Sequence, residues 1–314
     1  MNPLYREKTM KSEWKKVLLQ WVCPIIVLFF ILVLLFSRFS KSLNEGIASN
    51  FERNMEYQVE LCATKLGQEF EKIHTVGKMI CSMVSSGTGQ PGEVKELLNL
   101  AVEQTEVYEA LVFRPDGSAI LHDGRVLLLN DANYYEWVSE ATQFSYRYVS
   151  NDGITGTEAV LMIVPAEGQG QKIVMYYPVQ KIRSMINMKD AFGNATFITL
   201  LDEKGRVIVT TDETSSFFKT RDFWNNADKP YLARATVAGQ KAGNGQTGCL
   251  AFTVDGEERT VVYAPVYKWC LAAGVHQSYV NYMEQHQAKK LMMKLGWIII
   301  TIILGVLLIV IINF

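Results

Sequence analysis

Few side chains in this sequence combine the types and the spacing that catalysis or metal binding requires. The histidines are scattered, at His74, His122, His276 and His286, and the five cysteines form no C-x-x-C pair. Both patterns argue against a metal site. No serine lies in the G-x-S-x-G turn of a hydrolase. We therefore predict no catalytic residue, no bound metal and no cofactor.

Residues 243–248 spell G-N-G-Q-T-G, which matches the dinucleotide-binding pattern G-x-G-x-x-G. A dinucleotide loop must follow a strand and open a helix, whose N-terminus meets the pyrophosphate. This segment instead follows a polar loop and precedes a predicted strand. We therefore interpret it as a flexible connection rather than a nucleotide site.

Aromatic side chains with polar ends are concentrated near the middle of the chain. Such side chains can stack on a small ligand and hydrogen-bond it at the same time. Three fall on a predicted short helix, two alternate along the next strand and so share one face, and one lies on a later strand. Together with a carboxylate in the loop after the first of these strands, the predicted ligand-binding residues are Tyr134, Tyr135, Trp137, Tyr146, Tyr148, Asp152 and Tyr176.

Each of these residues also has a purely structural interpretation. Some of the rings would then belong to the core and others would face solvent. Asp152 and Thr155 would only form an Asx-type turn. Arg147 is a weaker candidate, because alternation places it on the opposite face from Tyr146 and Tyr148.

Short apolar runs with a period of two predict the strands that position these side chains. Residues 110–113 and 118–121 flank an Asp-Gly turn, and residues 197–201 and 206–210 flank the turn D-E-K-G. Both hairpins are followed, after an insertion, by a Thr-Gly pair and further strands, so the chain contains one internal duplication. We predict an α+β fold with two tandem modules, each built on an antiparallel five-stranded sheet.

The second copy offers a weaker pocket than the first. Residues 222–224 (D-F-W) stand where the first copy has residues 134–137 (Y-Y-E-W). We expect a degenerate site there, closed by its own side chains.

A long helix is predicted ahead of the first module. Between residues 59 and 84, apolar side chains recur at alternating steps of four and three, which is the seam of a heptad. We expect this stripe to pack on its own module, and nearer the N-terminus it is compatible with pairing to a second subunit. Cys62 and Cys81 lie about 28 Å apart along this helix, beyond disulfide reach. Cys249 and Cys270 can pair only if their strands are neighbours, so we expect free thiols.

Two uncharged apolar runs of twenty residues, 17–36 and 295–314, stand at the ends of the chain. Twenty helical residues rise about 30 Å, which matches the hydrocarbon core of a bilayer. The basic head, residues 1–16, is then the cytoplasmic flank. A cleaved signal peptide is the alternative, but S-R-F rather than a small-x-small cleavage site follows the first run.

Residues 38–294, between the two apolar runs, carry slightly more acidic than basic side chains. A nucleic-acid surface needs a clustered basic excess, so we expect no nucleic-acid partner. The segment is long enough for one large domain or for two modules in one frame.

This layout resembles the double Cache domains of bacterial transmembrane receptors, which have a stalk helix, two PAS-like modules and flanking membrane helices. The resemblance covers nearly the whole chain. It rests on the paired hairpins and on the Thr-Gly-then-strands pattern that ends in Tyr176-Tyr177-Pro178-Val179. It implies a small ligand between the sheet and the helix-loop cover of the membrane-distal module, and a homodimer joined through the stalk and transmembrane helices.

The amino-acid-binding branch of this family carries a motif of roughly Y…R-x-W-Y…D. In this sequence the two aromatic positions fall on Tyr134 and Tyr135, the arginine position falls on Ala132, and the aspartate position falls near Pro178 or Val179. The guanidinium that pairs with a carboxylate and the aspartate that holds an ammonium group are therefore missing. We expect this chain not to bind free α-amino acids.

The family layout divides the chain into seven segments. They are a cytoplasmic head (1–16), a first transmembrane helix (17–37), a stalk helix with a short second helix (38–107), a membrane-distal module (108–190), a membrane-proximal module (191–283), a juxtamembrane helix (284–294) and a second transmembrane helix (295–314). We expect a two-pass cell-membrane protein with a cytoplasmic N-terminus and an extracytoplasmic middle segment, residues 38–294.

The resemblance implies the sensory region of a bacterial receptor, with an unidentified small molecule and membrane lipid as partners. Relatives continue after the second span into a diguanylate cyclase, a histidine kinase or a chemoreceptor rod. We expect such an output domain in a longer protein or on a separate partner. The alternatives are a membrane-anchored scaffold or adhesion protein with a ligand-free Cache fold and, less favoured, a tethered extracytoplasmic hydrolase.

Overall fold

The computed structural model describes residues 23–86, 90–129, 134–166, 170–187, 196–211 and 222–312. The predictions for residues 1–22, Ala132 and residues 313–314 lie outside this part of the chain. Among the described residues, no helix has both the length and the hydropathy that a membrane span requires. Asn54–Gln277 forms one compact unit, and the described residues before and after it belong to another.

Two helices precede the first sheet. The long helix α1 is Cys23–Ser86, and α2 is Pro91–Gln104, with its proline in the first turn, where no N–H is needed. The predicted stripe of α1 is buried at Val59, Ala63, Leu66, Phe70, Ile73, Ile80 and Val84. Gly77 lets the helix approach the sheet closely, because a Cβ at that position would lie 2.6 Å from Val164 Cγ2.

The first module is an antiparallel sheet of six strands. In chain order these are β1 (Glu109–Phe113), β2 (Ser118–Leu121), β3 (Val126–Leu128), β4 (Ser145–Val149), β5 (Ala159–Pro165) and β6 (Lys172–Pro178). They lie side by side in the order β3-β2-β1-β6-β5-β4. Between β3 and β4 lies the covering helix α3 (Tyr135–Glu140), and α4 (Val179–Met185) follows β6.

This sheet has one strand more than the five that the sequence predicts. The extra strand is β3, which pairs with β2 through Ile120↔Val126 and Ala119↔Leu127. Its three residues are too few to reveal a period of two, and Val126 and Leu128 are both exposed. The sequence therefore resembles a loop at this point. The predicted α+β class with antiparallel sheets is confirmed.

The second module has the five strands predicted. They are β7 (Thr196–Leu201), β8 (Val207–Thr210), β9 (Gly248–Val254), β10 (Glu257–Val266) and β11 (Trp269–His276). Their order, β8-β7-β11-β10-β9, is that of the first sheet without β3. A 3-10 helix (Trp224–Asn226) and α5 (Lys229–Gly243) fill the insertion, and α6 (Gln277–Ile312) follows the last strand. The internal duplication is thus visible in three dimensions.

The G-x-G-x-x-G segment, residues 243–248, connects α5 to β9. It precedes a strand, as predicted, but it follows a helix rather than a polar loop. A segment that opens a strand presents no helix N-terminus to a pyrophosphate, so the interpretation as a connection stands.

Strand pairing assigns each side chain of the first sheet to one of two faces. Arg147 and Tyr176 both pair with Leu161, and directly paired residues share a face. Leu161 and Tyr176 belong to the core beneath α3 and its flanking loops. Tyr146 alternates onto the other face, where its ring centre lies 5.5 Å from that of Phe70 on α1. We call these the cover face and the helix face.

In the second module, the face that corresponds to the cover face is filled by aromatic side chains of its own insertion. Phe223 and Trp224 are buried, and the Trp224 ring centre lies 4.9 Å from that of Phe223 and 5.5 Å from that of Tyr263. Gly239 on α5 leaves room for the indole, because a Cβ there would lie 2.8 Å from Trp224 Cδ1. The predicted degenerate pocket is therefore closed by side chains.

Cys62, Cys81, Cys249 and Cys270 are free thiols. Cys249 on β9 and Cys270 on β11 are separated by β10, which pairs with both strands. Cys81 and Cys270 are buried, Cys62 is half-buried and Cys249 is exposed. The condition for a disulfide between the last two cysteines is thus not met.

Candidate ligand-binding site

Three of the predicted site residues meet in a hydrogen-bonded network beneath the cover of the first module. The Tyr134 hydroxyl donates to the backbone carbonyl of Asp152 at 2.5 Å and lies 3.1 Å from the Tyr176 hydroxyl. Tyr108, which the sequence reasoning missed, donates from its hydroxyl to Asp152 Oδ2 at 2.6 Å. Burial raises the pKa of Tyr134 and of Tyr176, so both phenols remain protonated at neutral pH.

Asp152 organises the loop between β4 and β5. Its Oδ1 accepts the backbone N–H groups of Ile154, Thr155 and Gly156 at 2.9, 2.7 and 2.8 Å, and the Thr155 hydroxyl donates to Oδ2 at 2.5 Å. Burial opposes ionisation of this carboxyl, but the hydrogen bonds from Thr155, from Tyr108 and from the Ile154 N–H outweigh it. The pKa of Asp152 falls to about 2. The carboxylate is satisfied by its own chain, which fits the Asx-turn interpretation better than ligand contact.

Tyr146 and Tyr148 share a face, as alternation predicts, but it is the helix face. The Tyr146 ring lies edge-on to Trp269 of β11, with ring centres 4.6 Å apart, and its hydroxyl accepts the backbone N–H of Lys268 at 2.6 Å. Burial raises the pKa of Tyr146 to about 12. These two tyrosines therefore do not face Tyr176 across a pocket between the sheet and the cover.

Arg147 lies on the cover face, together with the aromatic side chains of the covering helix. Its guanidinium carbon is 5.9 Å from the ring centre of Trp137, whereas Tyr135 packs edge-on against Phe113, with ring centres 5.7 Å apart. The predicted pocket requires the tyrosine face of β4 to look toward the covering helix. The register reverses that orientation, so the arginine rather than the tyrosines reaches Trp137.

A cavity of about 780 Å³ lies beside the edge strand β4. The free edge of this strand forms one wall, so side chains from both faces of the sheet reach the cavity around it. Four of the predicted site residues line the cavity: Tyr134, Trp137, Tyr146 and Tyr148. Tyr135, Asp152 and Tyr176 do not line it. The volume lies within the range of about 300–1,000 Å³ that is usual for small-molecule sites.

The opposite wall of this cavity comes from two hairpin turns of the second module, which the sequence reasoning missed. These turns and the strand residues beside them contribute Asp202, Glu203, Lys204, Arg206, Val207, Ile208, Lys268 and Trp269. The pairing of Leu201 with Cys270 brings the two turns to the same end of the second sheet. The sequence predicted the first of these hairpins, at residues 197–210, but not the turn at residues 266–269, so it gave a signal for only one part of this wall.

A second cavity, of about 680 Å³, lies on the other side of Phe144, next to α1. His74 stacks on Phe144 there, with ring centres 4.0 Å apart. Lys172 also lines it, and its ammonium group donates to the backbone carbonyl of Val138 at 2.7 Å and to that of Ser139. None of the predicted ligand-binding residues lines this cavity.

Solved structures share this arrangement of two modules. The ligand-binding domain of the Pseudomonas aeruginosa PAO1 amino acid chemoreceptor PctB, in complex with L-Arg, is 13% identical with a TM-score of 0.57, over 73% of this chain and 97% of that chain. The sensory domain of the Campylobacter jejuni chemoreceptor Tlp3, with isoleucine bound, is 8% identical with a TM-score of 0.55, over 76% and 97%. This chain has the double Cache fold.

The ligand-binding domain of the Pseudomonas fluorescens chemoreceptor CtaA, in complex with L-isoleucine, is a further double Cache relative in structure. It is 12% identical with a TM-score of 0.56, over 76% of this chain and 98% of that chain. No protein-family model and no curated protein matches the sequence. At these sequence identities the structural similarity establishes the fold alone. The chemistry of the double Cache cavity therefore follows from this chain's own residues.

Proposed function

We propose that this chain is the extracytoplasmic ligand-sensing region of a bacterial transmembrane signalling receptor. The observation that carries the proposal is a double Cache fold with a cavity of about 780 Å³ beside β4, the edge strand of the first module. Tyr134 and Trp137 from the cover and Tyr146 and Tyr148 from the edge strand line it. Aromatic walls with hydroxyl and N–H groups suit a small organic ligand.

The proposed topology anchors the chain at both ends. The apolar runs 17–36 and 295–314 would cross the membrane, with the N-terminus in the cytoplasm and residues 38–294 outside. In this arrangement the first module is distal to the membrane. A ligand that binds one conformation of that module better than another would shift the equilibrium, and α1 and α6 would carry the shift toward the cytoplasm.

The receptor would act as a homodimer through its stalk and membrane helices, and its output domain would lie in a longer protein or on a partner. A diguanylate cyclase, a histidine kinase and a chemoreceptor rod are the candidate outputs. The proposed ligand is not a free α-amino acid, because alanine stands at position 132, where the amino-acid motif has its arginine.

The second candidate function is a membrane-anchored scaffold or adhesion protein with a ligand-free Cache fold. The self-satisfied carboxylate of Asp152 favours it, because this group has no need of a ligand partner. A tethered hydrolase is the weaker alternative, since the sequence has neither a nucleophile in a G-x-S-x-G turn nor spaced metal ligands.

A thermal-shift screen of the full chain, purified in detergent, separates the sensor from the scaffold. Amino acids, organic acids, amines, purines and sugars are each added at millimolar concentration. For a sensor, at least one compound other than an amino acid raises the midpoint temperature in a dose-dependent way. That shift disappears in Trp137→Ala and persists in Tyr57→Ala, which removes an exposed ring of α1 outside the cavity. No shift with any compound would favour the scaffold.

A further inference from the structure

The cavity beside β4 is shared between the two modules. From the first module come the covering-helix residue Trp137 and the strand residues around Arg147; from the second come the turn residues Lys204 and Lys268. The turn that carries Lys268 is fixed to β4, because the backbone N–H of Lys268 donates to the Tyr146 hydroxyl. A ligand in this cavity would therefore contact both modules at once.

Positive charge is in excess on the walls of this cavity. Four cationic side chains line it, namely Arg147, Lys204, Arg206 and Lys268, against two carboxylates, Asp202 and Glu203. A wall with this balance attracts anions and disfavours cations.

Not all of these charges are available to a ligand. Asp202 and Arg206 neutralise each other, since Arg206 Nε donates to Asp202 Oδ2 at 2.6 Å. The Asp202 carboxylate also accepts the backbone N–H groups of Lys204 and Arg206. The remaining carboxylate on the walls is that of Glu203. The remaining cationic side chains are Arg147, Lys204 and Lys268, and none of these three forms an ion pair with another described residue.

Neutral groups on the same walls could hold the remainder of a ligand. Trp137 and Tyr148 offer ring surface, and both are only half-buried. Ser145 lines the cavity, and its buried hydroxyl finds no hydrogen-bond partner among the described residues. A buried hydroxyl in this state is commonly completed by a water molecule or a ligand.

From this combination we propose that the cavity binds a small organic anion, with its acidic group on Arg147 and Lys268 and its apolar part on Trp137. The inference rests on the proposed sensing function and adds the chemical class of the ligand and the participation of the second module. A guanidinium from one module and an ammonium from the other would be joined by the anion. The ligand would thus favour one relative placement of the β4 edge and the turn of residues 266–269. Binding would in this way be coupled to the relative position of the two modules.

The test compares ligands that differ in charge and little in size, using the full chain in detergent. Benzoate and phenylacetate are the anions, benzamide and phenylacetamide the neutral analogues, and benzylamine and phenethylamine the cations. We expect the anions alone to raise the midpoint temperature and to give a titration by calorimetry. Their binding should weaken as salt is added, because exposed charges are screened.

Charge variants then assign the anion to this cavity. Arg147→Gln and Lys268→Gln should each weaken anion binding about tenfold, the value of one charge-assisted hydrogen bond. Arg147→Lys keeps the charge but loses the two-pronged hydrogen bonding of the guanidinium, so its anion affinity should lie between those of wild type and Arg147→Gln. Lys95→Gln, an exposed lysine of α2 outside both cavities, should bind as wild type does.

The outcomes separate this inference from the sensing function. Loss of anion binding in both glutamine variants, with Lys95→Gln unaffected, supports it. A ligand shift that Trp137→Ala abolishes but that neither glutamine variant changes overturns the anion inference and leaves a sensor standing. Equal shifts with amides and amines, or no shift with either anion, also overturn it. No shift with any compound of the wider screen would remove the sensing function as well.

Discussion

At the scale of single residues, the carboxylate of Asp152 holds the β4–β5 loop in its fold. It joins the backbone of residues 154–156 to the Tyr108 hydroxyl, while its own carbonyl accepts the Tyr134 hydroxyl. Charge-assisted bonds of this kind contribute more than neutral ones, and a buried donor that loses its acceptor is costly. The residue therefore acts on stability, and through Tyr134 on the position of the cover.

Replacement of Asp152 by asparagine should lower the free energy of unfolding by about 1–3 kcal/mol, since the charge is lost and one acceptor oxygen becomes a donor. Chemical denaturation of the full chain in detergent measures this. Asp116→Asn is the matched control, because Asp116 also accepts a backbone N–H, that of Ser118, but is exposed. Equal stability of Asp152→Asn and wild type would contradict the structural role.

The contribution of Asp152 should also depend on pH. Its pKa falls from 3.8 to about 2 in the folded protein, so folding favours the ionised form. The stabilisation is complete above pH 3.8 and is lost as the pH falls toward the folded-state pKa of about 2. The midpoint temperatures of wild type and Asp152→Asn should therefore converge across that interval. A constant difference down to the lowest pH would show that ionisation of this group is not involved.

At the scale of elements, the covering helix α3 is held to the sheet by a buried lysine. Lys172 of β6 is only 7% exposed, and its ammonium group caps the C-terminal carbonyls of Val138 and Ser139. Burial lowers the pKa of Lys172. The last carbonyls of a helix have no intrahelical partner, and a short helix depends on such tertiary contacts. The position of the cover is therefore set by a residue far away in sequence.

Lys172→Met keeps much of the side-chain volume and removes both hydrogen bonds. Hydrogen–deuterium exchange in residues 135–141 should then become about tenfold faster, while exchange in β5 changes little. Lys181→Met is the control, because the ammonium group of Lys181 forms an exposed ion pair with Glu106. If exchange in α3 is unchanged in Lys172→Met, the capping does not hold the cover.

At the scale of the whole compact unit, one aromatic cluster joins α1 and the two modules. Phe70 of α1, Tyr146 of β4 and Trp269 of β11 have ring centres 4.6–5.9 Å apart. Tyr267 joins them from the turn before β11 with a left-handed φ of 55°, and its hydroxyl donates to Glu71 of α1. Edge-to-face rings add about 0.5–1.5 kcal/mol per pair to the burial term. A movement of the β4 edge would therefore be transmitted to both α1 and the second sheet.

Trp269→Ala should separate the unfolding of the two modules. The substitution costs about 3–5 kcal/mol as a buried large-to-small change, and it removes the ring that both modules share. Calorimetry should show a broadened or double transition. Phe252→Ala is the control: it makes a similar cavity within the second core and should lower the midpoint of a single transition. A single sharp transition in Trp269→Ala would show that other contacts couple the modules.

Local patterns were sufficient for the class, the duplication and the helical stripe. The turns at Asp116-Gly117 and at residues 202–205, the period of two around them and the four-and-three steps of α1 each depend on residues close in sequence. The same applies to the Asx turn at Asp152, which was one of two interpretations of that residue. Among the described strands, β3 escaped, because three residues carry no period.

The sequence by itself determined that Tyr146 and Tyr148 share one face of their strand and that Arg147 takes the other. Only the tertiary structure decided which face meets the covering helix and which meets α1. It also brought Lys268 and Trp269 of the second module to the same cavity. Alternation is a local property of a strand, whereas its orientation in the sheet depends on pairing with β5 and on the core packed against each side. A one-residue change of register would exchange the faces, and no neighbouring residue in the sequence records that choice.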